Sequence, residues 1–364
     1  MSSALFDYYI FRNLYNNYLL YRIKMVFLHT LAEYIWLGGN NEFRSKTRVF
    51  NEEITRLDQF PKWNFDGSST EQAQGTDSEV ILVPRQIFTD PFRGSNHILV
   101  WCETTRPDGT YLPNSHRHWA NEIFEKNKGS EPWFGLEQEY FMINTITQKP
   151  LGYDENKTQG QFYCSVGAEN AFGRGLAEEH LRACVTAGIK ISGINAEVAP
   201  GQWEFQIGPC TGIEEGDHMW MARYLLVYLA EKCNITIDFE PKPLAGDWNG
   251  SGCHANYSTK EMREGTVGKT GLEYIDDAIE KLSHKHMEHM AVYGSGNEQR
   301  MTGGHETASY DTFSHGVANR GASIRRGNDT VNNGKGYFED RRPSSNCDPY
   351  LVTGILFKTT ILDE

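Results

Sequence analysis

Closely spaced carboxylates are the residues in this chain best suited to do chemistry. Glu137 and Glu139 fall in WFGLEQEYFMIN, where apolar residues alternate. A period of two puts Phe134, Leu136, Gln138, Tyr140 and Met142 on one strand face and the two glutamates on the other, about 7 Å apart. Alone, such a pair is equally compatible with a solvated surface. A second pair sharpens the reading. NAEVAPGQWEFQIG reads as a hairpin turning at Pro200-Gly201, which sets Glu197 opposite Glu204. Like charges opposed across a ladder destabilise it, and a cation between them reverses the sign. Pro-Gly favours a type II turn, so a longer loop is the alternative, and it too leaves the acids close. Trp203, Phe205 and Ile207 then make the apolar face, with Glu204 and Gln206 looking into a cleft.

Two further stretches extend the constellation. GDWNGSGCHANYS, from Gly246 to Ser258, is rich in glycine, which lets backbone approach a ligand closely. It carries His254, and oxygen-rich sites with one imidazole suit Mg²⁺ or Mn²⁺ better than zinc. Arg300, Arg320, Arg325, Arg326, Arg341 and Arg342 crowd the region 300–342, with Glu306 and Glu339 among them. Guanidinium forks match carboxylate and phosphate oxygens. Acids for metals beside arginines for phosphates is the constellation of phosphoryl transfer. Surface ion pairing is the plain alternative for any one arginine.

The elements that must position these groups read as α+β. Between residues 30 and 105, LAEYIWL, SKTRVF, VILVP and HILVWCET suit short strands, and Pro107-Asp108-Gly109 reads as a boundary turn. Beyond it, AEEHLRACVTAG, HMWMARYLLVYLAEKCN and GLEYIDDAIEKLSHKHMEHMAVYG have helical periodicity between strands. The expected division is a divergent segment 1–27, a small β-rich domain 28–108 and a larger domain 109–364. Residues 1–27 are rich in Tyr, Phe and Leu at helical spacing. They hold Arg12, Arg22 and Lys24 against the single acid Asp7, so a mitochondrial presequence is the minor alternative to a packed helix.

The whole chain has 364 residues and a net charge of −13. That balance disfavours nucleic acid and anionic membranes as partners, and no apolar run is long enough to span a bilayer. It leaves anionic substrates open, because bound divalent metals invert local charge. Seven scattered cysteines without a CxxC pair fit reduced thiols. Several motifs fail. Gly268-Lys269-Thr270 ends like a P-loop, but Arg263 stands where that loop needs glycine. Gly294-Ser295-Gly296 lacks a dinucleotide fold's third glycine. His284, His286 and His289 read as a solvated helix surface rather than a metal site.

Seven motifs now carry a resemblance. KWNFDGSST, FGLEQEY, NAEVAPGQWEFQIG, NGSGCHANYS, RMTGGHET, NRGASIR and KGYFEDRRP, in this order from about residue 32 onward, closely resemble glutamine synthetase of the eukaryotic type. The resemblance implies a β-grasp domain followed by a catalytic domain with an antiparallel sheet flanked by helices. It implies ligation of ammonia to the γ-carboxylate of L-glutamate with ATP as co-substrate, through a γ-glutamyl phosphate, using two or three Mg²⁺ or Mn²⁺ ions. It further implies a cytoplasmic homodecamer of two pentameric rings with active sites between subunits.

Carried over by motif, Glu139, Glu197 and Glu204 are expected to hold the metal nearer glutamate, and Glu137, His254 and Glu339 the metal on the nucleotide phosphates. Trp133, Asn256, Tyr257, Ser258, Arg263, Arg325 and Tyr337 match the nucleotide pocket. Asn249, Gly250, Arg300 and Arg341 match glutamate contacts, and Arg320 meets the transferring phosphoryl group. Asp66, from a neighbouring subunit, resembles the residue that receives ammonium, and Glu306 the flap residue over glutamate. Two rivals remain: a ligase using another amine, against which Asp66 stands, and a non-catalytic relative, against which the six metal positions stand. Residues 1–27 and Gln299, where the family commonly has arginine, depart from the pattern.

Overall fold

The computed structural model describes residues 29–94 and 96–364, and the chain divides into two compact units, Met1–Ser115 and His116–Glu364. The helix expected within residues 1–27 falls outside the described residues.

Among the described residues, the first unit is built on a five-stranded sheet of β1 (Thr30–Leu37), β2 (Phe43–Phe50), β3 (Trp63–Asp66), β4 (Glu79–Thr89) and β5 (Ile98–Thr105), ordered β2-β1-β5-β4-β3. β1 and β5 run parallel, while the other neighbours run antiparallel. TLAEYIWL has few polar residues because β1 lies inside the sheet and is buried on both faces. On one face Ala32, Tyr34 and Trp36 pack with Leu82, Val100 and Cys102. Four strands follow the expected segments. β3 was not anticipated, because WNFD is too short for alternation to show.

The second unit carries, among the described residues, an eight-stranded sheet. In chain order its strands are β6 (Trp133–Asn144), β7 (Ile191–Ala196), β8 (Gln202–Thr211), β9 (Ile235–Asp238), β10 (Cys253–Ser258), β11 (His315–Val317), β12 (Ile324–Arg326) and β13 (Phe338–Asp340). The order is β11-β12-β13-β10-β6-β8-β7, with β9 extending the pairing of β6. All neighbours are antiparallel except β11 and β12. Helices α1 (Arg117–Glu125), α2 (Arg174–Ala187), α3 (Glu214–Glu231), α4 (Lys260–Glu264), α5 (Gly271–His284), α6 (His286–Met290), α7 (Asn328–Asn333) and α8 (Pro349–Phe357) complete the unit. α3 packs on α2, β8 and α8. Trp203, Phe205 and Ile207, alternate residues of β8, are at most 2% exposed, and each such burial contributes roughly 1.5–3 kcal/mol.

Three local expectations need correction. The Pro200-Gly201 hairpin is longer than a two-residue turn. The last ladder pairs are Asn195 with Glu204 and Ala196 with Trp203, and the Glu197 amide donates to the Gln202 carbonyl at 2.9 Å, leaving residues 198–201 as the loop. Glu197 therefore does not stand opposite Glu204. The helix expected across 271–294 breaks at Lys285 (φ −112°). That break turns two of the three histidines inward. His284 stays exposed, but His286 and His289 are 6% and 0% exposed. The His289 ring nitrogens lie 2.7 Å from the Tyr293 hydroxyl and 2.8 Å from Thr359 Oγ1, so they serve the core rather than a solvated face. Gly268-Lys269-Thr270 leads into a helix without a strand directly before it: Thr270 caps α5 in a reciprocal box with Glu273.

Candidate active site

Sheet register in the second unit brings the expected acids together. On β6 and β8, Glu139 pairs directly with Glu204, and Glu137 with Gln206. On the other side of β6, Glu137 pairs with His254 of β10. Asn256, two residues on and on the same face, pairs with Glu339 of β13, which pairs in turn with Arg325 of β12. His254 Nδ1 thus lies 3.4 Å from Glu137 and 3.5 Å from Glu339. One ligand atom from each of these three residues falls within 4.8 Å of the others, a spacing that a metal ion can occupy. Glu139, Glu197 and Glu204 line the same cavity, of about 220 Å³, with Asn249, Gly250, Arg300, Glu306, Arg320, Arg325 and Arg341.

The electrostatics are those of a cation site. Burial pushes Glu139 up to about 7, Glu197 up to about 8 and Glu204 up to about 9, and repulsion among the neighbouring carboxylates adds to each rise. Burial, reinforced by Arg341, holds His254 well below the usual imidazole range, so its ring is neutral and can offer a lone pair. Five carboxylates and one neutral imidazole around a polar cavity match hard divalent cations, and the protons these acids retain are what such cations would displace. These acids also have partners within the protein. Glu339 accepts from Arg341 at 2.6 Å and from Arg325 at 2.9 Å.

The glycine-rich segment forms one wall. Gly250 has no room for a side chain, since a Cβ there would lie 2.3 Å from the Pro241 carbonyl and 2.5 Å from Arg300 Cγ. Gly252 donates its amide to Glu139 at 2.9 Å. Asn249 Oδ1 is buried without a hydrogen-bond partner among the described residues, a group that a donor on a ligand would satisfy. Arg300 is 5% exposed, and its Nη2 donates to the carbonyls of Arg341, Arg342 and Pro343. Arg341 spans Glu339 and the carbonyls of Arg320 and Glu306, and Arg320 meets the Glu306 carboxylate at 2.9 Å.

A second, more apolar pocket of about 490 Å³ adjoins through the shared Glu137. Its lining includes Trp133, Asn256, Tyr257, Ser258, Arg263 and Tyr337. Arg263 lies 3.9 Å above the Trp133 ring, and Trp133 and Tyr337 are 42% and 53% exposed, unusual for large aromatic residues. Tyr257 is 0% exposed. Its ring stacks on Phe134 and its hydroxyl bonds Thr360, so only its backbone is offered to a ligand. Arg320 and Arg325 face the polar cavity instead.

Asp66 belongs to the first unit. It is exposed and caps the turn after β3, accepting from the Ser68 amide at 3.0 Å and the Ser68 and Ser69 hydroxyls at 2.6 and 2.7 Å. Those hydroxyls hold its carboxyl down at about 2. Sequence reasoning missed Tyr163, Asn195, His305 and Thr307 in the polar cavity. Asn195 was findable, because it stands two residues before Glu197 in an expected strand, where alternation puts both on one face, and its Nδ2 donates to Glu197 at 2.9 Å. Tyr163 lies in an irregular segment with no periodicity to read.

Residues 116–362 match the family model described as the glutamine synthetase catalytic domain, and residues 30–107 match its beta-Grasp domain. The chain is 54% identical over 340 residues to a chloroplastic glutamine synthetase of Daucus carota, covering 92% of this chain and 78% of that protein. It is 53% identical over 338 residues to a cytosolic isozyme of Pinus sylvestris, covering 91% and 94%, and 55% identical over 336 residues to a glutamine synthetase of Suillus bovinus, covering 92% and 94%. With both domain models matched in succession and more than half of the aligned positions identical to these proteins, the chain belongs to the glutamine synthetase family.

Proposed function

We propose that this chain is an ATP-dependent glutamate–ammonia ligase. The observation that carries the reading is the convergence of six potential ligands in one arginine-lined cavity that shares Glu137 with an aromatic pocket. Glu137, His254 and Glu339 are suited to one divalent cation and Glu139, Glu197 and Glu204 to another. Bound there, Mg²⁺ or Mn²⁺ would neutralise charge on the phosphates and the reacting carboxylate.

The chain's own groups do the rest. Trp133, Arg263 and Tyr337 offer faces for a nucleotide base, with Asn256, Ser258 and the backbone at Tyr257 beside them. Asn249, Gly250, Arg300 and Arg341 position glutamate. Arg320 and Arg325 meet phosphoryl oxygens as the γ-carboxylate oxygen attacks the terminal phosphorus and ADP leaves. The acyl phosphate so formed then accepts nitrogen at carbon and releases phosphate. Ammonium has no lone pair. Asp66, supplied by a neighbouring copy and ionised at any working pH, binds it by charge and helps remove a proton. Glu306 closes over the intermediate against water. The reading extends to a cytoplasmic decamer, supported by the family's assembly and by cytosolic relatives at identity similar to the chloroplastic ones.

The test is glutamine formation by purified protein from ATP, glutamate and ammonium, with mass measured alongside. Glutamine formed only when all three and a divalent metal are present supports the proposal. ATP turnover with hydroxyethylamine or another amine in preference to ammonium sinks it.

A further inference from the structure

His305 sits at the tip of a loop closed at its base by pairing of Thr302 with Ser309. The loop lines the polar cavity through His305, Glu306 and Thr307. Its tip is strained, since His305 and Glu306 are consecutive non-glycine residues with φ of 50° and 60°, a conformation costing roughly 1–2 kcal/mol per residue. Such a tip persists only where its surroundings hold it. Glu306 is held by Arg320 and, through its carbonyl, by Arg341.

His305 is held differently, and its hydrogen-bond pattern can be solved. The backbone N–H of Asn249 donates to Gln159 Oε1 at 2.7 Å. That bond fixes the amide orientation and leaves the Gln159 NH₂ facing His305, 3.1 Å from Nδ1. An amide NH₂ only donates, so Nδ1 must present its lone pair. The ring proton then sits on Nε2, 3.0 Å from the carboxylate of Asp247. This one arrangement, Nδ1 accepting and Nε2 donating, satisfies both contacts. The imidazole thereby ties together three stretches: the irregular segment between β6 and α2, the glycine-rich wall at 247–249, and the strained loop tip.

We propose that His305 is a positioning residue that latches the 302–309 loop to Gln159 and Asp247, holding Glu306 over the acyl phosphate and keeping water from it. The inference deepens the ligase reading and rests on it. Without the latch, water attacks the acyl carbon, phosphate leaves and glutamate is regenerated, so ATP is consumed without glutamine. The same ties reach Asn249 through Gln159, so loosening them also weakens glutamate binding, while the aromatic pocket is untouched.

The experiment uses the full-length oligomer and follows ADP and glutamine together. His305→Ala should raise the ADP released per glutamine formed by at least about threefold and the KM for glutamate by about tenfold, with the KM for ATP within about twofold of wild type. His305→Asn tolerates the left-handed backbone but lacks the ring, and it should uncouple as the alanine variant does. Gln159→Ala, which removes the other arm, should act in the same direction. Asp247→Asn keeps an acceptor and should stay better coupled than Asp247→Ala. Coupling by His305→Ala equal to wild type overturns the latch, and coupling restored in His305→Asn overturns it in favour of backbone strain. Wild-type protein that makes no glutamine from ATP, glutamate and ammonium overturns the ligase reading and the latch with it. An active, coupled His305→Ala overturns the latch alone.

Discussion

Glu139 and Glu204 stand directly opposite each other across the ladder between β6 and β8. Two carboxylates in that relation repel, and burial deepens the cost. The protein as it folds without metal answers by keeping protons on them. A cation bound between them would exchange those protons for its own charge.

Proton release should therefore accompany metal binding. With Glu139, Glu197 and Glu204 pushed up to about 7, 8 and 9, roughly two protons should leave per subunit at pH 7, and progressively fewer as pH rises from about 7 to about 9. Calorimetric titration with Mn²⁺ in buffers of different ionisation heat measures this directly. Heat that is independent of the buffer would count against the site.

The same shifts set a pH dependence of stability. Glu204 keeps its proton in the folded state up to about 9, while its ordinary value is 4.5. Between those limits the folded state binds more protons than the unfolded, so stability falls as pH rises. Metal-free Glu204→Gln should match wild type near pH 5 and melt higher near pH 9, by on the order of 5 °C. Saturating Mn²⁺ should reverse the order. Parallel curves for the two proteins at every pH would refute the argument.

Arg263 over the Trp133 ring makes a charged lid on the aromatic pocket. Trp133→Ala or Arg263→Ala should raise the KM for ATP about tenfold through lost stacking, leaving that for glutamate within about twofold. Equal changes in both constants would mean the pocket does not hold the nucleotide.

Asp66 is proposed to act after the acyl phosphate has formed. Asp66→Ala should lower glutamine formation by at least about a hundredfold, while ammonium-independent ATP turnover falls far less. Since Ser68 and Ser69 hold its carboxyl at about 2, no loss of activity between pH 6 and 8 should trace to its protonation. Parallel loss of both half-reactions would remove it from the ammonium step.

Asp340 and Arg342 form a fully buried ion pair at 2.7 Å, joined to the Tyr293 hydroxyl. Asp340→Ala strands a buried guanidinium and should cost about 3–5 kcal/mol of stability. Replacing both by leucine and methionine should cost much less. Chemical denaturation of the single and double variants separates the two cases, and equal losses would show that the pair is not the unit of stability.

Much of the site was legible because strand periodicity is local. Alternation in WFGLEQEYFMIN and QWEFQIG alone decides that Glu137, Glu139 and Glu204 point away from the apolar face, since side chains on a strand change face at every residue. The strands β1, β2, β4 and β5 were readable for the same local reason. The motif order supplied the family expectation, including which acids belong together.

Which acid meets which was decided only by tertiary structure. Glu139 faces Glu204, and Glu197 sits beyond the last ladder pair, because residues 198–201 make a longer loop than Pro-Gly suggests. Bulges between Phe134 and Leu136, and between Ile191 and Gly193, shift register further along. His254 meets Glu137 across more than a hundred residues of chain, and His289 turns into the core because its helix breaks at Lys285. Periodicity sets the face of a side chain from its immediate neighbours, but register is set by packing, loop length and bulges over the whole sheet. The sequence by itself therefore determined what kind of groups this site would use, and the folded sheet decided their partners.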